Sequence, residues 1–319
     1  MREDVQSYLD DIIQTRQAPG VVVAIAKDGK PLLSATAGVA DVSTRKPMTR
    51  ETPFALGELS FMFASTAALA AVDQGRMKLD APLEFASPLT LRNVLSRSCG
   101  VDDFFADETY LEPDANFDSI WKAVRPKSLV PKDETSSTNG LLLTEALRRG
   151  SNRTFEDAVR TLVLKPLGMN SAAYGKRDGN ARGYEASSSG FTPVEPHLSA
   201  YYPFAGYHLS ATADDLLKFD AAIVKQSLLK VATWKIACRP VSLNGVLTAS
   251  GLGLTVYTDE DGTTLGSEGG SDAGVTCFYR RMPSGLGIVV MANAADLDVQ
   301  TIAQDLDQLV INALEVDGG

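Results

Sequence analysis

The chain has 319 residues, of which 44% are hydrophobic and 22% charged, and its formal net charge is −10. These proportions are typical of a globular protein with one large domain or two closely packed subdomains, and they exclude a disordered chain. The acidic balance argues against a nucleic-acid partner, and no apolar run reaches the ~20 residues that span a bilayer.

The N-terminus and the cysteines bear on location and cofactors. Residues 1–4 lack the apolar segment of a secretion signal, so we expect a cytoplasmic protein. Cys99, Cys238 and Cys277 are odd in number and match no metal-ligand pattern, as expected for thiols in a reducing compartment. No phosphate-binding glycine loop is present. We therefore expect no cofactor, no metal, no nucleic acid and no membrane partner.

Hydrophobic periodicity predicts a helix and a hairpin at the start of the chain. Val5, Leu9 and Ile12 recur at helical spacing, which predicts a helix over 3–16. The apolar runs 21–26 and 32–35 flank an Asp-Gly turn, where Gly29 tolerates a positive φ, so they predict a β-hairpin. The stretch from Ser60 to Gly75 is rich in Ala, Leu, Met and Phe and predicts a buried helix with a glycine stop.

The rest of the chain changes from helical to extended. Further helices are predicted over 91–95, 141–149, 155–164 and 214–224, and a loop over 175–204. Strands are predicted over 252–257, 263–267, 275–281 and 286–292, followed by a closing helix over 298–314.

This order of elements predicts an α+β fold, because the two chain ends can share one antiparallel sheet around a helical middle. We predict a single domain over 1–319. Its sheet subdomain comprises about 1–56 and 215–319, and its helical subdomain about 57–214.

Several stretches, in chain order, resemble the family that groups class C β-lactamases, penicillin-binding proteins, related esterases and LovD-like acyltransferases. They are TPFALGELS (52–60), DQGRMKLDAP (73–82), LRNVLSRSCGV (91–101), KPLGM (165–169) and GIVVMAN (287–293). The resemblance implies a β-lactamase/transpeptidase-like fold and a nucleophilic serine at Ser60.

The group that activates this serine is missing. The family uses a Ser-x-x-Lys motif, because serine is a poor nucleophile without a neighbouring base and residues i and i+3 share a helix face. Here the motif reads Ser60-Phe61-Met62-Phe63. A phenyl ring at position 63 can neither accept a proton nor stabilise an alkoxide.

Two further family motifs are also changed. Tyr-x-Asn corresponds to Ser137-Thr138-Asn139, which keeps the asparagine and loses the tyrosine. His/Lys-x-Gly corresponds to Ser267-Glu268-Gly269, which loses the basic residue, and Arg97 replaces a histidine whose role is more structural. The resemblance thus assigns substrate binding to Phe63, Ser137, Asn139, Ser267 and Gly269. With three bases or cations lost, we expect no efficient acyl-serine turnover.

Other residues are candidates to replace the lost groups. Tyr207 and His208 stand where the family has glycines beside its site. Imidazole titrates near neutral pH and suits acid–base catalysis, and a phenol can donate to a developing oxyanion. The other histidine, His197, is expected to be a surface or structural residue, and the same explanation remains open for His208. Tyr207 has an alternative role as a filler of space.

Glu268 is the remaining candidate base. It falls on the strand that lines the family's site, where a carboxylate withdrawn from water can accept a proton. An exposed carboxylate at a strand end is the competing interpretation. Phe61, Met62 and Phe63 would make the floor of the pocket apolar and favour a hydrophobic ligand, although core packing explains Phe61 and Met62 equally well.

Three functional hypotheses follow. The first is a repurposed enzyme that acts on a hydrophobic small molecule without a covalent intermediate. Its reaction would be an isomerisation, a cyclisation, an elimination or an aldol-type step. The candidate catalytic residues are Ser60, Tyr207, His208 and Glu268. The second is a non-catalytic binding protein of the same fold. The third is a weak esterase in which His208 or Glu268 activates Ser60.

Overall fold

The computed structural model describes residues 1–15, 17–104, 116–124, 136–175, 179–188, 190–195, 209–259, 262–268 and 273–318. For 257–259, 262–268 and 317–318 it describes the backbone alone.

Within these ranges the helices and strands are as follows. The helices are α1 (Arg2–Gln14), α2 (Ser60–Asp73), α3 (Leu91–Leu95), α4 (Phe117–Val124), α5 (Thr138–Ser151), α6 (Phe155–Val159), α7 (Ala213–Val224), α8 (Val231–Ala237) and α9 (Val299–Gly318). The strands are β1 (Gly20–Lys27), β2 (Lys30–Asp41), β3 (Lys46–Pro47), β4 (Phe54–Ala55), β5 (Ala173–Tyr174), β6 (Tyr184–Ser187), β7 (Gly190–Pro193), β8 (Leu209–Ala211), β9 (Ser242–Leu243), β10 (Val246–Leu247), β11 (Thr255–Asp259), β12 (Gly262–Glu268), β13 (Thr276–Arg281) and β14 (Leu286–Ala292).

Strands from both chain ends form the main sheet. In the described part of the chain its order is β11-β12-β13-β14-β1-β2-β3, and the strand pairs are antiparallel. The hairpin between β1 and β2 turns at Asp28 and Gly29, whose φ values of 49° and 71° match the turn that the Asp-Gly pair predicts. The predicted α+β class, with one antiparallel sheet built from both ends, is confirmed. The division into two subdomains stays a prediction.

Helices cover both faces of the sheet, and this explains the sequence of β1. Strand β1 reads GVVVAIAK and is buried along nearly its whole length. Because successive side chains point to opposite faces, Val21, Val23 and Ile25 belong to the core beneath α1 and α9. Val22 and Ala24 belong to the larger core that contains α2 and α7.

Helix α2 is apolar all round because protein surrounds it. Residues Ser60 to Ala71 are all buried, and the helix packs against α5 and α6. None of the described helices combines the length and the apolar character needed to cross a bilayer.

Several sequence predictions differ from the structure. Part of the predicted loop 175–204 is the hairpin of β6 and β7, and α4 and α8 were not predicted. The strand predicted from Leu252 begins only at Thr255. The reason is the close approach of the preceding turn to α2, where a Cβ on Gly253 would lie 2.1 Å from the Cβ of Ser65.

Candidate active site

Ser60 is held by a short strand that reaches it from a distant part of the chain. It is fully buried at the start of α2, directly after the 3₁₀ turn Gly57–Leu59. The N–H of Leu209, the first residue of β8, donates to Ser60 Oγ at 3.3 Å. Strand β8 also pairs with β4, and Leu56 N–H donates to Leu209 O at 2.8 Å. A backbone hydrogen bond from a distant segment therefore contacts Ser60, whose role as the family's serine stays a prediction.

Phe63, the residue predicted to correspond to the family's lysine, is part of the core. Its side chain is fully buried, and its ring centroid lies 5.0 Å from that of Phe219 on α7. Phe219 in turn contacts Trp234 on α8 edge-on, with centroids 6.3 Å apart. Aromatic packing, which favours such tilted pairs, thus surrounds the residue one helical turn from Ser60. The role of Phe63 in contacting a ligand stays a prediction.

Asn139 lies on α5, which packs against the helix of Ser60. It is 1% exposed, and its Nδ2 donates to Ser136 O at 2.8 Å. Its Oδ1 is buried and accepts no hydrogen bond from the described residues. A buried amide oxygen without a donor is costly, so this atom is an acceptor suited to a ligand N–H or O–H.

Ser137 is the N-cap residue of the same helix and is hydrogen-bonded to an earlier segment of the chain. Its backbone N–H donates to Asp103 Oδ2 at 3.0 Å. Thr138 Oγ1 donates to Asp102 O at 2.6 Å and accepts from Phe104 N–H at 2.9 Å. Ser137 and Asn139 are therefore fixed together by local hydrogen bonds at the N-terminus of α5.

The strand carrying the third motif lies beside the nucleophile helix. Ser267 and Glu268 are the last residues of β12, paired with Tyr279 and Phe278 of β13. Strand β12 packs against the 3₁₀ turn that leads into Ser60. The structure describes only the backbone of Ser267 and Glu268, and Gly269 lies outside the described residues. Their predicted roles stay predictions.

Three sequence candidates lie wholly outside the described residues. They are His197, Tyr207 and His208. His208 directly precedes Leu209, the residue whose N–H contacts Ser60 Oγ. The assignment of Tyr207 and His208 to the site therefore remains a prediction, as does a structural role for His197.

Arg97, predicted from the sequence to have a structural role, contacts the helix that begins at Ser60. Its guanidinium carbon lies 4.6 Å from the ring centroid of Phe61, the residue after Ser60. Its Nη1 lies 3.9 Å from Glu58 Oε2. Arg97 also lines a pocket of about 170 Å³ beside α2. In the sequence, the feature that could have drawn attention to this residue is the replacement of the family's histidine, as the resemblance implies it, by a longer and permanently charged side chain.

Two cysteine thiols are shifted away from their reactive form. Burial raises the pKa of Cys99, two residues after Arg97, far above its usual range. Burial also raises the pKa of Cys238 to about 11. Because the thiolate is the nucleophilic form of cysteine, this environment disfavours reactivity at both residues.

The described site has a serine at the start of a buried helix and an asparagine on the helix packed against it. The strand β12 of the main antiparallel sheet lies beside the turn before the serine. The sequence model of the Beta-lactamase family matches residues 5–310, so the chain belongs to the β-lactamase family.

Individual relatives are distant. The chain is 24% identical over 292 residues to a D-aminopeptidase of Brucella anthropi. The aligned region spans 86% of this chain but only 55% of that protein. It resembles the octameric penicillin-binding protein homologue of Pyrococcus abyssi with a TM-score of 0.83, at 22% identity over 97% of this chain and 77% of the other. The D-amino acid amidase of Ochrobactrum anthropi SV3 gives a TM-score of 0.79, at 20% identity over 100% of both chains. These similarities establish the fold.

Proposed function

We propose that this chain is a β-lactamase-family enzyme that acts on a hydrophobic small molecule by acid–base chemistry, without an acyl-serine intermediate. The observation that carries the proposal is the burial of Phe63 against Phe219 at the lysine position. A positioned general base contributes roughly 10²- to 10⁴-fold to such reactions. Among the described residues, Ser60 Oγ accepts a hydrogen bond from the backbone N–H of Leu209, a donor that cannot take the proton of the serine.

Polar residues on, or next in sequence to, the elements that adjoin Ser60 support the proposal of a ligand site. The buried Oδ1 of Asn139 is an acceptor without a donor among the described residues. Glu268 ends the strand that packs beside the turn before Ser60, and His208 adjoins Leu209 in the sequence. We assign the proton-accepting role to Glu268 or His208, and the donor role toward a developing negative charge to Tyr207.

The first test asks whether Ser60 still forms a covalent bond. The intact mass of the protein is measured after incubation with an activated acyl ester and, separately, with a β-lactam. We expect no adduct that depends on Ser60. An adduct that Ser60→Ala abolishes would contradict the proposal and favour a serine hydrolase, as the names of the relatives suggest. Ser65→Ala is the matched control, because Ser65 is an equally buried serine on the same helix.

The second test asks for acid–base chemistry. Isomerisation, elimination and aldol-type steps begin with removal of a proton from carbon. Enolisable aryl ketones are therefore incubated with the protein in D₂O, and NMR measures replacement of the α-proton by deuterium from solvent. We expect the α-proton to exchange faster with the protein than in buffer alone. We expect Glu268→Gln or His208→Gln to abolish this excess. Binding of the ketone without exchange would instead identify a non-catalytic binding protein.

A further inference from the structure

A groove that is separate from the candidate active site lies between the C-terminal end of α5 and the segment that follows α2. Its lining comes from the ranges 76–78 and 81–85 and from Ala146, Arg149 and Gly150 of α5. Helix α2 has 14 residues, a length of about 21 Å, and begins at Ser60, whereas the groove starts at Arg76, after the helix has ended. The described lining contains none of the candidate catalytic residues, so a ligand can occupy the groove independently of them.

The lining of the groove is mainly apolar and is fixed by contacts with the rest of the fold. Met77, Leu83 and Phe85 contribute side chains to it. Met77 packs directly on α5, because a Cβ on Gly150 would lie 2.5 Å from Met77 Cγ and only glycine leaves room for the thioether chain. Phe85 contacts Phe117 on α4, with ring centroids 5.7 Å apart. The apolar surface is therefore in place before any ligand arrives.

Contacts on two sides hold the Arg149 side chain at the groove. Its guanidinium carbon lies 4.8 Å from the ring centroid of Phe85, and its Nε donates to Glu145 Oε1. Glu145 also accepts two hydrogen bonds from Arg148, both 2.7 Å long. Among the described residues, neither Nη group of Arg149 donates to a protein acceptor. A guanidinium that is held in place and keeps two unused N–H groups is suited to a carboxylate.

The groove also carries an excess of positive charge. Arg76 and Lys78 line it, both are exposed, and neither forms an ion pair with another described residue. Glu84 also lines it, and Glu145 pairs with Arg149. The three cations outnumber these two carboxylates, and the difference exceeds the roughly half negative charge at the C-terminal end of α5. On a chain with a net charge of −10, this local excess favours an anion.

The size of the groove restricts its ligand to a small molecule. The groove encloses about 240 Å³, which is below the roughly 300–1,000 Å³ of sites that hold a drug-sized ligand. A planar carboxylate can accept from both Nη groups of Arg149, while a short aliphatic chain covers Met77 and Leu83. An uncharged ligand would bury the same apolar surface but leave the cations without a counter-charge.

We propose that this groove binds a small amphipathic carboxylate, with the carboxylate on the Nη groups of Arg149 and a short aliphatic chain on Met77 and Leu83. The occupant is a free acid rather than an acidic protein segment, because the enclosed volume suits a whole short-chain acid. This site is additional to the proposed active site, and the inference does not depend on the reaction proposed there.

NMR of methionine methyl groups tests the proposal at the groove itself. The chain has seven methionines, and Met77→Leu identifies the Met77 signal in protein labelled with ¹³C at these methyls. Hexanoate and the uncharged hexan-1-ol are titrated separately. We expect hexanoate to shift the Met77 signal and to bind about 10-fold more tightly than the alcohol, the low end for a charge-assisted hydrogen bond because solvent reaches the site. The signal of Met291, buried in the main sheet, is expected to stay in place.

Three variants separate the role of Arg149 from a general effect of charge. Arg149→Gln is expected to bring the ratio of the two Kd values close to one, with little change for the alcohol. Lys78→Gln, at an exposed residue, is expected to weaken hexanoate binding about 2-fold. The matched control is Arg148→Gln, because Arg148 pairs with the same Glu145 but lies outside the described lining. It is expected to keep the preference for the acid. Circular dichroism and thermal unfolding establish that each variant is folded.

Three results would overturn the inference. They are no shift of the Met77 signal with hexanoate up to about 20 mM, equal affinity of the wild-type protein for acid and alcohol, and an unchanged preference in folded Arg149→Gln. None involves turnover or Ser60, so each leaves the proposed function standing. Conversely, a Ser60 adduct would overturn the proposed function and leave this second site intact.

Discussion

Phe63 changes both the chemistry and the packing of the nucleophile helix. As a residue type it cannot act as a base, and this much follows from the sequence. The structure adds that its ring is fully buried and contacts Phe219. Position 63 therefore contributes to stability in a way that a catalytic lysine in an open cleft would not.

The stability role of Phe63 is testable. We expect Phe63→Ala to lower the free energy of unfolding by about 3–5 kcal/mol, because it leaves a cavity in a packed core. Urea denaturation measures the change. Val316→Ala, at a side chain that is 82% exposed, is expected to alter the same quantity by less than about 0.5 kcal/mol. A comparably small effect at Phe63 would show that its ring is not part of the core.

The contacts of Arg97 could not be predicted from sequence patterns. Its identity as a substituted position follows from the residues around it. Its contacts with Phe61 and Glu58, and its place in the pocket that Thr255 also lines, depend on how three distant segments meet. No local periodicity encodes such a meeting, so the sequence alone left the position with a structural interpretation.

At the scale of single elements, prediction succeeded where periodicity was strong. The long helices α1 and α2 and the hairpin of β1 and β2 were predicted because apolar spacing and the Asp-Gly turn agree there. The short helix α8 and the strands β6 and β7 were missed, because a few residues carry too little periodicity to outweigh nearby turn signals. The site residues were inferred from the family's motifs alone and stay predictions.

Helix α5 offers a prediction about pH. Glu145 is 2% exposed and pairs with Arg148 at 2.7 Å and with Arg149. Burial alone would raise the pKa of Glu145, but hydrogen bonds and charge from the two arginines outweigh burial, and the pKa is lowered. A lowered pKa in the folded state adds stability above the unfolded-state pKa of about 4.3, and this stability is lost as the pH falls through the folded-state value.

We therefore expect Glu145→Gln to destabilise the protein at pH 7 and to differ less from the wild-type protein as the pH falls below about 4. Urea unfolding at a series of pH values measures the difference. Glu315→Gln, at an exposed residue of α9, is the control and is expected to follow the wild-type curve throughout. A difference for Glu145→Gln that is constant with pH would contradict the prediction.

At the scale of the whole molecule, the sheet joins the two ends of the chain. Strand β1 lies between β14 and β2, and helices cover both of its faces. Its hydrogen bonds therefore open only when both chain ends separate, whereas the hairpin of β6 and β7 forms its own two-stranded sheet.

Hydrogen exchange measures this difference. We expect the amides of β1 and β14 to exchange at least about 10³-fold more slowly than those of β6 and β7, since opening of the main sheet requires global unfolding. Mass spectrometry of peptides from each strand provides the rates. Similar rates in β1 and β6 would show that the main sheet does not unfold as one cooperative unit.

The aromatic series of Phe63, Phe219 and Trp234 also limits how position 63 can change. A Phe63→Lys substitution would place an ammonium group beside the buried ring of Phe219 and remove a ring contact with a centroid distance of 5.0 Å. Such a variant is expected to be less stable than the present protein, because a buried charge is costly. A base one helical turn after Ser60 would therefore need compensating changes in the surrounding aromatic core, so packing constrains this position whatever chemistry the protein performs.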